Sequence, residues 1–139
     1  MKSIEAVIFV EPTAKGRPRS TVISGHVSTY TPAKTRKAEA LICAMIREQV
    51  MAAGCFPAGM PLRIDATFYI PKPPSAPKRL IFPVKKPDVD NYQKLLQDAL
   101  EKFVYPVDSQ IVTSLVKKRY AAPGATPRIE VKIREEVEL

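Results

Sequence analysis

The chain has 139 residues and is short of several things. It holds a single histidine, His26, which argues against a Cys/His zinc module and against a nuclease site built on a histidine pair. His26 lies in a Ser/Gly/Thr-rich turn and reads as an ordinary loop residue rather than the base of a Ser-His-Asp triad. Only two cysteines occur, Cys43 and Cys55, and they do not form a C-x-x-C pair. Cys43 lies mid-helix on an apolar stretch and reads as a small core residue, so neither a structural disulfide nor a zinc site is expected. No run of 18 apolar residues is present, and no membrane span is expected. A basic segment followed by an apolar one is missing at the N-terminus, so no signal peptide is expected and the chain reads as cytoplasmic. Acidic residues are the minority: 14 against 22 Lys and Arg, for a net charge of +8. Such a balance favours polyanion partners, because neutralising phosphates releases counterions and steers association. Charge alone fits a merely soluble basic protein equally well.

What is present is enough for one domain, residues 1–139, with one modest core: the length suffices and 45% of residues are apolar. Residues 4–10 read as a first strand. The segment EPTAKGRPRST follows, in which Lys15, Arg17 and Arg19 alternate with Gly16 and Pro18, so that an extended backbone would set the three cations on one side. Residues 21–30 read as a short hairpin around Ser24-Gly25. Thr31-Pro32 is a helix start, with Thr as N-cap and Pro in the first helical position. That helix runs to about Ala53, ends at Gly54, and carries an apolar stripe of Leu41, Ile42, Met45, Ile46 and Val50. Its early cations, Lys34, Arg36 and Lys37, oppose the helix dipole and read as a ligand contact or a solvated face.

Residues 62–70 alternate: Leu62, Ile64, Ala66, Phe68 and Ile70 face one way, Arg63, Asp65, Thr67 and Tyr69 the other. A Pro- and Lys-rich loop follows, exposing Lys72, Lys78, Arg79, Lys85 and Lys86. A second helix is predicted over about 88–102, buried through Leu95, Leu96, Ala99, Leu100 and Phe103. Strands are predicted at about 110–119 and at 128–134, paired as a hairpin through Pro123-Gly124, with a frayed acidic tail. The order β-β-α-β-α-β-β points to an α+β domain, one mixed sheet with two main helices packed on it.

The chemistry concentrates in residues 86–112. Asp88 and Asp90 stand two apart at the predicted helix start, with Asp88 as N-cap. Asp90, Lys94 and Asp98 follow at i, i+4, i+8 and form one ridge. Leu95, Leu96, Ala99 and Leu100 lie mostly away from it. Asp108 comes just past the helix, before an apolar run. A hard cation such as Mg²⁺ takes oxygen ligands, keeps several waters and is held by a few carboxylates plus substrate phosphate. Asp88, Asp90 and Asp108 supply such ligands, and Lys94 can orient a water or meet developing negative charge. The bland alternative is a solvated carboxylate-lysine ladder, worth about 0.2–0.5 kcal/mol per pair. Pro87-Asp88 with Glu130 and Lys132 also gives a PD…ExK pattern, of a kind that any alternating charged strand produces.

Taken together, these residues resemble the RusA-type Holliday junction resolvases, of the kind often found in prophages. The resemblance covers most of the chain. It rests on K-G-R-P-R at 15–19, Y-T-P at 30–32, D-x-D-N-x-x-K-x-x-x-D-A-L from Asp88 to Leu100, and D-S-Q-I-V at 108–112. It implies a Mg²⁺-dependent homodimeric endonuclease that binds four-way DNA junctions and makes paired symmetric nicks with ligatable ends. The catalytic residues it implies are Asp88, Asp90, Asp108 and Lys94, with Asn91 and Asp98 in support. Two departures stand out. Val107 occupies a place where many members have a second acidic residue, and Glu101-Lys102 replace a glycine often found after D-A-L.

The expected function is resolution of Holliday junctions in recombination and repair. Mn²⁺ can replace Mg²⁺, since both accept oxygen ligands. Lys15, Arg17, Arg19, Lys85, Lys86, Lys117, Lys118 and Arg119 are the candidate phosphate contacts. Two other readings remain: a flap or other branched-DNA nuclease using the same site, and a non-catalytic basic DNA-binding protein.

Overall fold

The computed structural model describes residues 2–14, 19–30 and 33–137, with side chains throughout these except at 19–21, 23 and 26–30. Strands β1 (Ser3–Ile8), β4 (Leu62–Ile70), β5 (Ile111–Tyr120) and β6 (Arg128–Glu135) form one sheet in the order β1-β6-β4-β5. Strands β2 (Arg19–Ile23) and β3 (His26–Tyr30) form a separate hairpin. Helices α1 (Ala33–Ala53) and α2 (Val89–Leu100) complete the element order. The fold is α+β with a mixed sheet, as the sequence predicts.

The alternation of β1, β4 and β6 divides the sheet into a buried and an exposed side. Ile4, Ala6 and Ile8, Leu62, Ile64, Ala66 and Phe68, and Ile129, Val131 and Ile133 all enter the core. The helices cover that side. Helix α2 presents Tyr92, Leu95, Leu96, Ala99 and Leu100 to it, and the Tyr92 ring stacks on Phe68 with centroids 5.2 Å apart. Each fully buried leucine here contributes roughly 1.5–3 kcal/mol. The opposite side of the sheet mixes exposed Val7 and Leu115 with ion pairs Arg63–Asp65, Arg128–Glu130 and Lys132–Glu5 at 3.0, 2.8 and 3.2 Å.

Several expectations change. β5 and β6 do not form a hairpin: β4 lies between them, parallel to β5 and antiparallel to β6. The turn at Gly124 therefore carries the chain across β4, whose Leu62, Ile64, Ala66 and Phe68 are buried and which gains a partner on each edge. The stripe on α1 is Thr35, Ala38, Ile42, Ile46 and Val50, one step of three residues followed by steps of four. Leu41 and Met45 lie beside it and stay 38% and 41% exposed. His26 opens β3 rather than sitting in a loop. The acidic tail is partly tied down, since Glu135 belongs to β6 and the Glu136 N–H donates to the Pro61 carbonyl at 2.8 Å. Both cysteines are free; the half-buried Cys43 thiol donates to the Ala99 carbonyl at 3.0 Å, and burial pushes its pKa up. The predicted N-cap, Thr31-Pro32, falls outside the described residues. Gly54 ends α1 with φ +80°, a conformation only glycine adopts without steric cost, and its N–H closes on the Val50 carbonyl at 2.7 Å.

Candidate active site

Helix α2 starts at Pro87-Asp88. Asp88 has the extended backbone of an N-cap (φ −70°, ψ 152°), and its carbonyl accepts the Asn91 N–H at 3.1 Å. Its side chain makes no capping bond, so the carboxylate is free and exposed. Asp90 is exposed in the first turn, and the helix dipole favours a negative charge there. One turn on, Lys94 pairs with Asp98 at 3.4 Å. The Lys94 side chain is 63% exposed and Asp98 only 22%, so the carboxylate steadies a lysine that still faces outward. Gln93 donates to Gln97 Oε1 at 2.7 Å and to Ser114 Oγ at 2.9 Å, clasping this polar face to β5.

Asp108 begins a single 3-10 turn, Asp108–Gln110, that leads into β5. The chain reaches it through Lys102, which takes a left-handed backbone at φ +69°. Three side chains then fix Asp108. The Tyr105 hydroxyl donates to Asp108 Oδ1 at 2.8 Å, and Glu101 Oε2 accepts the Asp108 N–H at 2.8 Å. Gln110 is buried; it accepts the Val107 N–H at 3.2 Å and donates to the Pro57 and Met60 carbonyls at 2.9 and 3.1 Å. Burial raises the Asp108 pKa; donation from Tyr105 pulls it back, while the carboxylates of Glu101 and Asp98 push it further up. Burial, with the bond to Asp108, also drives the Tyr105 phenol strongly upward, so the phenol stays protonated and donating.

Asp90, Asn91, Gln93, Lys94, Gln97 and Asp108 line one open cleft of about 430 Å³. The structure thus brings Asp90, Asn91, Lys94 and Asp108 to a common surface. Asp88 lies outside that lining, at the helix start, and Asp98 reaches the cleft through its pair with Lys94. The carboxylates do not form a closed cage: among the described residues, no three Asp, Glu, His or Cys side chains converge enough to hold a metal ion. Asp108 sits at the level of Gln97, whose carbonyl also accepts from Tyr105 at 3.3 Å. Asp90 is seven residues back, roughly 10 Å along the axis at about 1.5 Å per residue. The donor chemistry still fits a hard cation. The oxygens are carboxylates, and Mg²⁺ keeps several waters and completes its shell with phosphate rather than with a full set of protein ligands.

Other predicted site residues fall elsewhere. Glu130 pairs with Arg128 and Lys132 with Glu5 on the exposed side of the sheet, away from the cleft, which leaves the PD…ExK pattern unassembled. Lys15 and Arg17 lie outside the described residues; Arg19 opens β2, with its side chain undescribed. Lys85 and Lys86 are exposed before α2. The pleat splits Lys117, Lys118 and Arg119. Register pairs Lys117 and Arg119 with Thr67 and Tyr69 of that exposed side, and Lys118 with the core residue Phe68. The Arg119 guanidinium lies 5.1 Å from the centre of the Phe82 ring, and the Lys118 ammonium donates at 2.9 Å to both the Lys85 and Pro87 carbonyls. The residues that sequence reasoning missed are Glu101, Tyr105 and Gln110. The signal available for two of them was a tyrosine three before the aspartate and a glutamine two after it.

Comparison with known proteins points the same way. The family model for endodeoxyribonuclease RusA matches residues 10–134. The chain is also similar to the uncharacterized protein YqaN of Bacillus subtilis (strain 168), at 36% identity over 148 aligned positions that span 97% of this chain and 98% of the relative.

Proposed function

The chain belongs to the endodeoxyribonuclease RusA family, and on that premise we propose that it is a Mg²⁺-dependent, structure-selective endonuclease that resolves Holliday junctions in recombination and repair. It acts in the cytoplasm as a homodimer, which sets two sites on one four-way junction and so makes paired nicks. The observation that carries this reading is the cleft shared by Asp90, Lys94 and Asp108. Among the described residues no helix is long and apolar enough to cross a membrane.

The reaction is hydrolysis of a phosphodiester. A water oxygen forms a bond to phosphorus, the bond to O3′ breaks, and a 3′-hydroxyl and a 5′-phosphate remain for ligation. Asp88 and Asp90 at the helix start and Asp108 past its end would supply carboxylate oxygens to the cation, with water and substrate phosphate completing its shell. When bound, Mg²⁺ neutralises charge on the phosphate and lowers the pKa of the attacking water. Lys94 meets the negative charge that develops on the phosphoryl oxygens. Asp98 keeps its ammonium over the cleft, and Tyr105 fixes one Asp108 oxygen so that the other can face the cleft. Lys85 and Lys86, exposed just ahead of α2, track the phosphate backbone, contacts that position the junction without reading its sequence.

The test is cleavage of a labelled synthetic four-way junction, with Mg²⁺ or with EDTA, against duplex and flap controls. Symmetric nicking of the junction, lost in EDTA, is expected, and Mn²⁺ should substitute. Preference for flaps would move the activity to another branched-DNA nuclease. Binding without cutting under either metal would make the protein a basic DNA-binding module.

A further inference from the structure

We infer that Lys118 is a positioning residue for Asp88, clamping the backbone just ahead of helix α2 instead of contacting DNA. The inference rests on the endonuclease reading above. Lys118 lies on the core-facing side of β5, level with Phe68. Its ammonium donates at 2.9 Å to the Lys85 carbonyl and at 2.9 Å to the Pro87 carbonyl. The Pro87 carbonyl belongs to the peptide unit that carries the Asp88 amide, so the clamp acts one bond from the residue whose place matters.

The Asp88 side chain adds nothing to this anchoring, because it makes no capping bond; its carbonyl accepts the Asn91 N–H within the helix. The loop before it has few other anchors, chiefly the buried Pro83 and the Arg119 guanidinium over the Phe82 ring. Ile81 and Val84 are 72% and 74% exposed, and other hydrogen bonds described there close within the loop, Ala76 N–H to Pro73 and Leu80 N–H to Pro77, each at 3.0 Å. An ammonium has three donors; two are spent on these carbonyls, whose partial negative charges take the place of a phosphate. Lys117 and Arg119, on the other side of the sheet, remain the candidates for phosphate contact.

The test compares Lys118→Met, which keeps the apolar stem and removes the donors, with Lys118→Arg, which keeps charge and donors. Three quantities are read on the full-length protein: amide hydrogen exchange at 85–91, the salt dependence of four-way junction binding, and the Mg²⁺ concentration for half-maximal cleavage. For Lys118→Met we expect faster exchange at 88–91, an unchanged salt slope, and a half-saturating Mg²⁺ concentration raised roughly tenfold or more, the usual effect of losing support behind a metal ligand. Lys118→Arg should fall between Met and wild type. A salt slope shallower by about 0.9 would instead make Lys118 a phosphate contact and overturn the inference. Unchanged exchange and unchanged half-saturation would overturn it too. If the wild-type protein cuts no branched DNA, the endonuclease reading fails, and the exchange data still decide whether Lys118 holds the helix start.

Discussion

The two ends of helix α2 carry carboxylates in opposite circumstances. At its start, Asp88 and Asp90 are exposed and make no side-chain cap, and the backbone there is held from outside by Lys118. Past its end, Asp108 is half-buried and braced by Tyr105 and Glu101, with buried Gln110 fixing the turn beneath it. The lesson is a division of labour. One end is free to meet a cation and a phosphate that arrive together, and the other is built in advance at a cost, since burial among carboxylates raises the Asp108 pKa. A folded protein keeps such a costly group in place only through bonds that over-determine it, and those are the bonds seen here.

The largest effects should come from the carboxylates themselves. Asp88→Asn, Asp90→Asn and Asp108→Asn should each cut junction cleavage by at least roughly a hundredfold, the scale of losing one preorganised electrostatic contact. Junction binding should survive, or tighten, because repulsion of phosphate falls. Cleavage retained in all three would sink the site assignment. The same variants sharpen the contrast between the ends. Thermal melts should move little for the two exposed aspartates, by up to about 1 kcal/mol from the helix dipole. Asp108→Asn should move more, since it disturbs a bonded, half-buried group.

Next in size is Gln110→Ala. It leaves the Val107 N–H and the Pro57 and Met60 carbonyls without their partner, at about 1–3 kcal/mol for a buried group so stranded. Denaturant unfolding would measure it, and an unchanged midpoint would mean that the turn under Asp108 is held by something else. Tyr105→Phe should lower stability by about 1 kcal/mol and reduce cleavage roughly 10–100-fold through loss of support behind a ligand. Equal cleavage by Tyr105→Phe and wild type would remove the claim that Asp108 needs bracing. The smallest effect belongs to Lys102, whose φ of +69° suits glycine better than lysine. Lys102→Gly should stabilise the protein by up to about 1 kcal/mol, the αL penalty of a non-glycine residue less glycine's entropic cost. A fall in the melting midpoint would show that the lysine side chain gives more than its backbone costs.

Sequence made some of this visible and hid the rest for physical reasons. The strand at 62–70 and the apolar face of α2 were legible because a local period decides which side chains are buried. Asp90, Lys94 and Asp98 were legible as a ridge for the same reason. The order β1-β6-β4-β5 was not, because strand pairing is a choice among distant partners, and proximity along the chain wrongly favoured pairing β5 with β6. Leu41 and Met45 look like core residues by type, yet only the neighbour packed against α1 decides which rows of the helix are covered. Lys117, Lys118 and Arg119 read as one basic cluster until the pleat sends the middle one inward to the Lys85 and Pro87 carbonyls. The departure at Lys102 was visible as a missing glycine, but not that the backbone there keeps the left-handed conformation regardless.

Strand β6 comes last in chain order and yet lies inside the sheet, between β1 and β4. On the ribosome, the earlier strands therefore emerge with a gap between them, and β4 has its full set of partners only after residues 128–135 are released. The surface that supports α2 and the Asp108 turn is finished at that moment, so a nascent chain should be unable to nick DNA until its synthesis has passed β6.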